Sequence, residues 1–224
     1  MKKTISLIIS FLILSFVVVT ANATFAKEVQ NTSMVRIIHA SPDAPAVDIV
    51  IDGEIVVENA AFKAVTDYLT LSAGEHEVKI YATGTEDEQD PVIEADITTD
   101  ADKAYTVAAV NTVDNIELVI SEDDLALTEG MTKIRVGHFS PDAPPVNVGL
   151  KDDKVVFEDV SFKDITDFVE LEADTYNFEV VTSDNEQPVL DLSGTKLDKN
   201  TVYSVYAINM LDSIEPLIVT YVVE

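Results

Sequence analysis

Short apolar runs alternate with turn residues along the chain from about residue 34 onward. The runs are rich in Val, Ile, Tyr and Phe, and none sustains the 3.6-residue spacing of an amphipathic helix. Runs of this kind are typical of β-strands. In the first half of the chain the pattern predicts strands over Val35–His39, Val47–Ile51, Glu54–Glu58, Tyr68–Leu71, His76–Tyr81, Val92–Ile97, Tyr105–Asn111 and Ile116–Ile120.

The same pattern occurs twice. Three matched blocks carry the repeat: Val35–Ile49 with Ile134–Val148, Phe62–Ala73 with Phe162–Ala173, and Tyr105–Ile120 with Tyr203–Ile218. The first block contains His-x-Ser-Pro-Asp-Ala-Pro in both copies, and small changes of offset between blocks place the length differences in loops. The repeat therefore predicts two domains, at 34–121 and 132–224, joined by a linker at 122–131.

The turns within each copy favour one class of fold. Asp52-Gly53 lies between two apolar runs and predicts a two-residue hairpin, because glycine tolerates the positive φ that such turns need. Many short strands in so short a stretch favour an immunoglobulin-like sandwich over a large barrel. We therefore expect an all-β chain of two tandem immunoglobulin-like β-sandwich domains after a signal peptide.

The N-terminus has the three parts of a secretory signal peptide. Lys2 and Lys3 precede an apolar run at Ile5–Val19, and small residues follow up to Ala26. We predict that residues 1–26 are removed, that no membrane span remains, and that the protein is secreted to the medium or the cell surface. The chain has no cysteine, which excludes a disulfide framework and a thiolate metal site.

The charge is strongly negative. The chain has 41 acidic and 14 basic residues, net −27, and loss of Lys2 and Lys3 takes the net charge to −29. Such a field repels nucleic acid and anionic membranes, so neither is an expected partner. Two interpretations remain open: a solubilising exterior, or a surface that gathers cations or basic partners.

The stretch Val35–Asp48 resembles the opening signature of the domain-of-unknown-function family 4397. Phe62, Tyr68, Ala73-Gly74 and Tyr105-Thr106-Val107 resemble later positions of that family. The resemblance covers nearly all of the mature chain, once per copy. It implies an exported microbial β domain and brings no established activity.

The second copy departs from this pattern at several positions. Phe139 replaces Ala40, and Asn147 replaces Asp48, so a site that needs the second aspartate is in doubt in copy two. Lys63 and Lys163 stand where the resemblance leads us to expect glycine.

The Ser-Pro-Asp-Ala-Pro loop is the best candidate site because it joins a titratable His to a Ser and an Asp. The candidate binding residues are His39, Ser41, Asp43, Asp48, His138, Ser140 and Asp142. The competing interpretation is structural: two prolines fix φ, and Ser or Asp can bond the backbone of a tight connection. Each His would then make one structural hydrogen bond at a strand end.

Other chemistries have weaker support. A catalytic triad of His39, Ser41 and Asp43 would need two short contacts among neighbours on one extended segment, which such segments seldom provide. Three histidines without cysteine do not make a zinc cage, whereas acidic loops such as Glu86-Asp87-Glu88 and Asp152-Asp153 leave calcium possible. The absence of Trp disfavours a carbohydrate platform. A Lys–Asn cross-link, Lys63 with Asn111 and in the second copy Lys163 with Asn209, is a further possibility.

Taken together, the residues favour a secreted, non-enzymatic binding or structural module at the cell envelope or in the medium. Its partner would be an extracellular protein or an envelope polymer. The alternatives are a hydrolase centred on the His39 and Asp43 loop, and a calcium-dependent matrix or surface-layer component. Neither a cofactor nor an oligomeric state follows from the sequence.

Overall fold

A computed structural model describes residues 31–86, 88–151 and 155–223. The predicted signal peptide at 1–26 lies outside these residues, as do Asp87 and Asp152–Asp153 of the two acidic loops. Asn31–Glu224 belong to one compact unit.

The described residues form sixteen β-strands, eight in each half. The first half contains β1 Thr32–His39, β2 Val47–Ile51, β3 Glu54–Ala60, β4 Leu69–Ser72, β5 Gly74–Ala82, β6 Ile93–Thr99, β7 Ala104–Val110 and β8 Glu117–Asp123. The second contains β9 Met131–His138, β10 Val146–Leu150, β11 Val155–Val160, β12 Val169–Glu172, β13 Thr175–Thr182, β14 Pro188–Lys196, β15 Thr201–Ile208 and β16 Glu215–Val222. Short 3-10 turns at Val113–Asn115 and Leu211–Ser213 precede the last strand of each half. All eight strands predicted for the first copy are present, with ends shifted by a few residues.

Each half consists of two four-stranded sheets with the same strand order. We call β4-β1-β7-β8 and β12-β9-β15-β16 the central sheets, and β3-β2-β5-β6 and β11-β10-β13-β14 the outer sheets. The pairs β1 with β7 and β9 with β15 are parallel, and the other neighbours are antiparallel. The prediction of an all-β chain in two related halves is confirmed. The immunoglobulin-like class stays a prediction.

Each half has its own apolar core between its central and outer sheets. In the first half, Val35 and Ile37 of β1 face Ile49 of β2 and Ile80 of β5. In the second half, Ile134 and Val136 occupy the positions equivalent to Val35 and Ile37. Residues i and i+2 of a strand point to one face, so the alternation in the sequence directs these side chains into the sandwich.

A third apolar cluster lies between the two central sheets and joins the halves. It contains Ile38, Ala40, Ala108 and Val110 of the first half, and Phe139, Tyr206, Ile208 and Val219 of the second. All seven residues of β7 and all eight positions of β15 except Ala207 are buried, so both strands are covered on both faces. A strand buried on both faces needs a packed layer on each side. One face of each central sheet is covered by the outer sheet of its own half, and the other face is covered by the central sheet of the other half.

The surfaces that meet in this cluster differ in size. Phe139 and Tyr206 stack with their ring centroids 4.8 Å apart, at the positions that Ala40 and Ala108 occupy in the first half. Gly137 lies directly beneath Tyr206: a Cβ at Gly137 would lie 2.5 Å from Cδ1 of that ring. Large side chains of the second half thus pack against small ones of the first.

Candidate functional site

The His-x-Ser-Pro-Asp-Ala-Pro loop begins at the end of β1 and closes on its own histidine. His39 is 2% exposed, and its Nε2 lies 3.1 Å from the carbonyl oxygen of Pro45. The backbone N–H of Ser41 donates to His39 Nδ1 at 3.4 Å. A carbonyl can only accept, so Nε2 carries the proton and Nδ1 is the acceptor. Burial lowers the pKa of His39 and favours this neutral form.

The second copy repeats this arrangement with one difference. His138 is fully buried, and its Nε2 lies 3.1 Å from the carbonyl oxygen of Pro144. Its Nδ1 has no hydrogen-bond partner among the described residues. Burial lowers the pKa of His138 as well. Each imidazole therefore spans its loop as a neutral structural donor.

The aspartates of the two loops cap the 3-10 turns. The backbone N–H of Val113 donates to Asp43 Oδ1 at 2.8 Å, and that of Leu211 donates to Asp142 Oδ1 at 2.7 Å. Both aspartates are otherwise exposed. The caps tie each loop to the connection that precedes the last strand of its half, which makes the loop rigid.

The serines do not complete a catalytic relay. Ser41 and Ser140 are fully buried, and in the described part of the chain neither hydroxyl has a hydrogen-bond partner. Asp43 bonds the backbone of Val113 and not the ring of His39. A Ser–His–Asp mechanism needs contacts from Ser to His and from His to Asp, and the loop contains neither.

Asp48 is a structural acceptor in the first half. Its carboxylate accepts the N–H groups of Asn59 at 2.6 Å and Gly84 at 2.7 Å, and the hydroxyl of Thr83 at 3.2 Å. Burial alone would raise the pKa of Asp48, but these hydrogen bonds outweigh it and the pKa is lowered.

Asn147 is the equivalent hydrogen-bond acceptor in the second half. Its Oδ1 accepts the N–H of Asp159 at 2.8 Å and the hydroxyl of Ser183 at 3.2 Å. An amide oxygen serves these donors as a carboxylate does, so the replacement of Asp48 by Asn147 preserves the fold of this region. That the seven candidate residues bind a ligand stays a prediction.

Residues 31–86, 88–151 and 155–223, which the structure describes, contain no cluster of three or more His, Cys, Asp or Glu side chains placed to hold an ion. They also contain no helix long and apolar enough to cross a membrane. Calcium dependence stays a prediction, and thermal unfolding with and without millimolar calcium tests it through a shift of the midpoint.

Sequence reasoning missed a buried charge network between the halves. Asp123, the last residue of β8, is 4% exposed and bonds Arg135 of β9. It also accepts the hydroxyls of Tyr68 and Thr106, both at 2.6 Å, and lies 3.6 Å from Arg36. One carboxylate of the first half thus neutralises guanidinium groups of both halves.

Each of the two arginines also packs its guanidinium group over an aromatic ring. Arg36 lies 4.6 Å from the ring centroid of Tyr68, and Arg135 lies 4.6 Å from that of Phe168, the equivalent residue. Burial, and next the negative charge of Asp123, raise the pKa of Tyr68. The tyrosine therefore stays a neutral donor to that carboxylate.

Two ion pairs cross between the halves in a reciprocal way. Lys63 Nζ lies 2.7 Å from Glu215 Oε2, and Lys163 Nζ lies 3.2 Å from the equivalent Glu117 Oε2. Lys63 and Lys163 have φ of 73° and 76°, in the left-handed region that favours glycine. Lys63 contacts the opposite half and not Asn111, whose Nδ2 donates to Glu117.

The two repeated loops lie at the same end of the molecule. Arg36 and Arg135 approach one carboxylate, while Ala40 and Phe139 share one apolar cluster. β1 and β9 must therefore run in the same direction, and the loops that follow them leave the shared core together. The arrangement presents two rigid loops at one end of the molecule. It offers little for proton transfer, because both imidazoles are buried and each Nε2 is hydrogen-bonded to a carbonyl oxygen of its own loop.

This geometry defines a class: an all-β protein of two related halves, each built from two four-stranded sheets, joined face to face. The model of the Domain of unknown function (DUF4397) family matches residues 33–149 and 132–222. The chain belongs to this family, in two tandem copies.

No curated protein matches the sequence. Among solved structures, the chain is similar to CBMbc, a family CBM26 module of Amy13K from Eubacterium rectale, solved in complex with maltoheptaose. The two are 11% identical, the match covers 86% of this chain and 97% of that one, and the TM-score is 0.26. A likeness at this TM-score carries no conclusion about fold or ligand.

Proposed function

We propose that the chain is a secreted, non-enzymatic binding or structural module that acts at the cell envelope or in the extracellular medium. Its partner in this proposal is an extracellular protein or an envelope polymer. We further propose that each half is an immunoglobulin-like sandwich. Its eight strands, arranged in two face-to-face sheets of four, support this assignment.

The observation that carries the proposal is that the polar side chains of the repeated loop make hydrogen bonds within the fold. The imidazoles of His39 and His138 close their loops, and the carboxylates of Asp43 and Asp142 cap the following 3-10 turns. A catalytic group has to be free to exchange protons with a substrate, whereas a rigid binding surface loses less conformational entropy when it binds its partner. Two rigid loops at one end of a single body suit recognition.

The signal-peptide pattern at residues 1–26 supports export. Expression of the full chain followed by fractionation and intact-mass measurement tests it. We expect a product that has lost the N-terminal segment, in the medium or the envelope fraction. A full-length chain retained in the cytoplasm would contradict the proposal.

A pull-down of the exported protein against culture supernatant and isolated envelope tests binding. The loop variant, Asp43→Asn with Asp142→Asn, removes two charges but keeps the capping oxygens. The control variant, Glu75→Gln with Glu172→Gln, removes two exposed charges elsewhere. We expect capture that the loop variant weakens and the control does not. Absence of any captured component, or equal effects of both variants, would count against recognition by the loops.

A further inference from the structure

The edge strand β16 differs from the other sheet edges of the described chain. The sheets end at β3, β4, β6, β8, β11, β12, β14 and β16. Exposed edges invite pairing with another chain, and proteins guard them with charges or by keeping them short. β4 has four residues, and six other edges each carry at least two charged side chains: Glu54 and Glu58, Glu94 and Asp96, Glu117, Glu122 and Asp123, Glu158 and Asp159, Glu170 and Glu172, and Asp191 and Lys196.

β16 has neither protection over most of its length. It spans eight residues, and after Glu215 its sequence is Pro-Leu-Ile-Val-Thr-Tyr-Val, without a charge. Pro216 removes one backbone donor at the start of the strand, which leaves Leu217–Val222 able to pair. Six residues of high β-propensity without charge or proline are the composition that favours strand addition.

One face of β16 is also uncovered. Leu217 and Val219 pack in the cluster between the halves, and Tyr221 meets Tyr68 edge to face at 5.7 Å. The alternate residues point the other way, where the outer sheet does not cover them: Ile218 is 47% exposed and Val222 is 62% exposed. The strand thus presents an apolar shelf beside a free backbone edge.

The equivalent strand of the first half shows how such an edge is guarded. Ile120 of β8 is 44% exposed, like its counterpart Ile218. The next residue on that face, Glu122, is charged and pairs with Lys103, and the chain continues into Asp124. In β16 the corresponding position is the uncharged Thr220. The difference lies in charge and not in the backbone, because both strands occupy the same place in their sheets.

We propose that β16 is a self-association surface that pairs antiparallel with β16 of a second copy of this chain. A two-fold axis between the strands would join two central sheets into one sheet of eight strands and bring the Ile218 and Val222 side chains of both copies together. Such an isologous contact closes after two chains, so it gives a dimer and not a fibre.

Charge supports a second copy as the occupant at this place. The acidic chains repel one another over most of their surfaces, but Leu217–Val222 carries no charge, so an antiparallel copy of this stretch places no like charges opposite each other. It can also set Ile218 of one chain against Val222 of the other. At physiological ionic strength the repulsion is screened beyond about 8 Å. Dimerisation should therefore strengthen as salt is added, opposite to the behaviour of a contact held by ion pairs. The proposal does not depend on the ligand or on the proposed function.

Sedimentation equilibrium of the exported chain, at low and at physiological salt, tests the inference. The test variants are Ile218→Lys and Val222→Lys, and the matched control is Ile120→Lys on β8. We expect a monomer–dimer equilibrium for the wild type and for the control. Each β16 variant should weaken dimerisation by about tenfold or more, the equivalent of a buried, unpaired charge at the contact.

Circular dichroism and thermal unfolding check that the variants fold. Val222→Lys alters a side chain that is mostly in solvent, so its folding is secure even if Ile218→Lys disturbs the core. A wild type that stays monomeric at every concentration and salt would overturn the proposal. Equal weakening by the β8 and β16 variants would do the same, as would a dimer that neither β16 variant affects.

Discussion

The two halves of this protein have the same strand order and differ most where they face each other. The first half presents Ala40 and Ala108 to the shared core, and the second presents Phe139 and Tyr206 at the same positions. Two faces of the first kind would leave a void, and two of the second would clash, since protein interiors are close-packed. A duplicated domain has thus become one body by distributing volume unequally between its copies.

The halves also differ in charge at their contact. Both supply a buried arginine, Arg36 or Arg135, yet only the first supplies the carboxylate, and Tyr221 stands where the second half would have its own. Asp123 is therefore a shared counter-ion. Single changes at these unequal positions should affect the whole molecule.

The largest effect is expected from Asp123→Ala. It leaves two buried guanidinium groups without their carboxylate, and breaking a buried pair costs about 3 to 5 kcal/mol. Urea unfolding measures the free-energy change. Glu122→Ala is the control, because the Glu122–Lys103 pair is about half exposed on both sides and such a pair contributes about 1 kcal/mol or less. Similar losses for both variants would show that Asp123 is not a shared counter-ion.

Gly137→Ala tests the fit beneath Tyr206. The added methyl would lie 2.5 Å from the ring, and overpacking of this kind costs about 1 to 3 kcal/mol. Because both of the closest contacts are with the Tyr206 ring, Tyr206→Leu in the same chain should relieve part of the strain in a double-mutant cycle of unfolding free energies. Additive losses would show that the ring and the glycine do not act together.

Core packing distinguishes the halves by a smaller amount. A void of about 20 Å³ in the second half is lined by residues that include Val136, Val148 and Val180. The first half has Ile37, Ile49 and Ile80 at the equivalent positions. Val148→Ile should fill space and raise the unfolding free energy, while Ile49→Val should lower it by about 0.5 to 1.5 kcal/mol. Thermal unfolding of both variants gives the sign of each change in unfolding free energy. Changes of the same sign would refute the difference in packing.

The smallest effect concerns pH and only the first half. His76 Nδ1 lies 2.6 Å from Asp52 Oδ2 and its Nε2 lies 2.7 Å from the carbonyl oxygen of Ser72, so the charged form satisfies both acceptors. Burial would lower the pKa of His76, but these hydrogen bonds outweigh it and the pKa is raised. The hydrogen bond with His76 lowers the pKa of Asp52.

These two shifts set the pH window. A raised histidine pKa stabilises the fold below pH 6.5, and this is lost as the pH rises through the folded value. A lowered aspartate pKa stabilises above pH 3.8, and this is lost as the pH falls through the folded value. His76→Gln should therefore cost about 1 kcal/mol between these limits and less at pH 9.

The control for the pH test is Tyr176→Phe in the second half. The Tyr176 hydroxyl donates to the carbonyl oxygen of Glu172, the equivalent of the His76 bond to Ser72. The unfolding free energy lost in Tyr176→Phe should be the same at pH 5 and pH 8. A pH-independent cost of His76→Gln in unfolding experiments would show that the imidazole is neutral.

Much of each sandwich could be predicted from the sequence, since alternation assigns Val35 and Ile37 to one face of their strand. The same segment also contains a signal of burial on both sides, because Ile38 of the strand and Ala40, which follows it, are apolar on the other face. The role of Asp123 could not be predicted. It stands in an acidic run at the predicted linker, 122–131, and only the fold places it beside the two arginines.

The repeated loop shows the same division. Its prolines and its His, Ser and Asp spacing marked it as either a binding site or a rigid connection, and both interpretations were compatible with the residues. The contacts of His39 with Pro45 and of Asp43 with Val113 give the loop a structural role. No spacing in the sequence indicates that the two loops lie at the same end of the molecule.

The sequence by itself determined the strands, the turns between them and the duplication, because these follow from local alternation and from self-similarity. The tertiary structure alone decided that the halves share a core, that one aspartate serves both, and that β16 remains an unguarded edge. Side chains that meet across the molecule are far apart in the chain. Their complementarity in volume and charge is a property of the packed pair of surfaces, which no single segment contains.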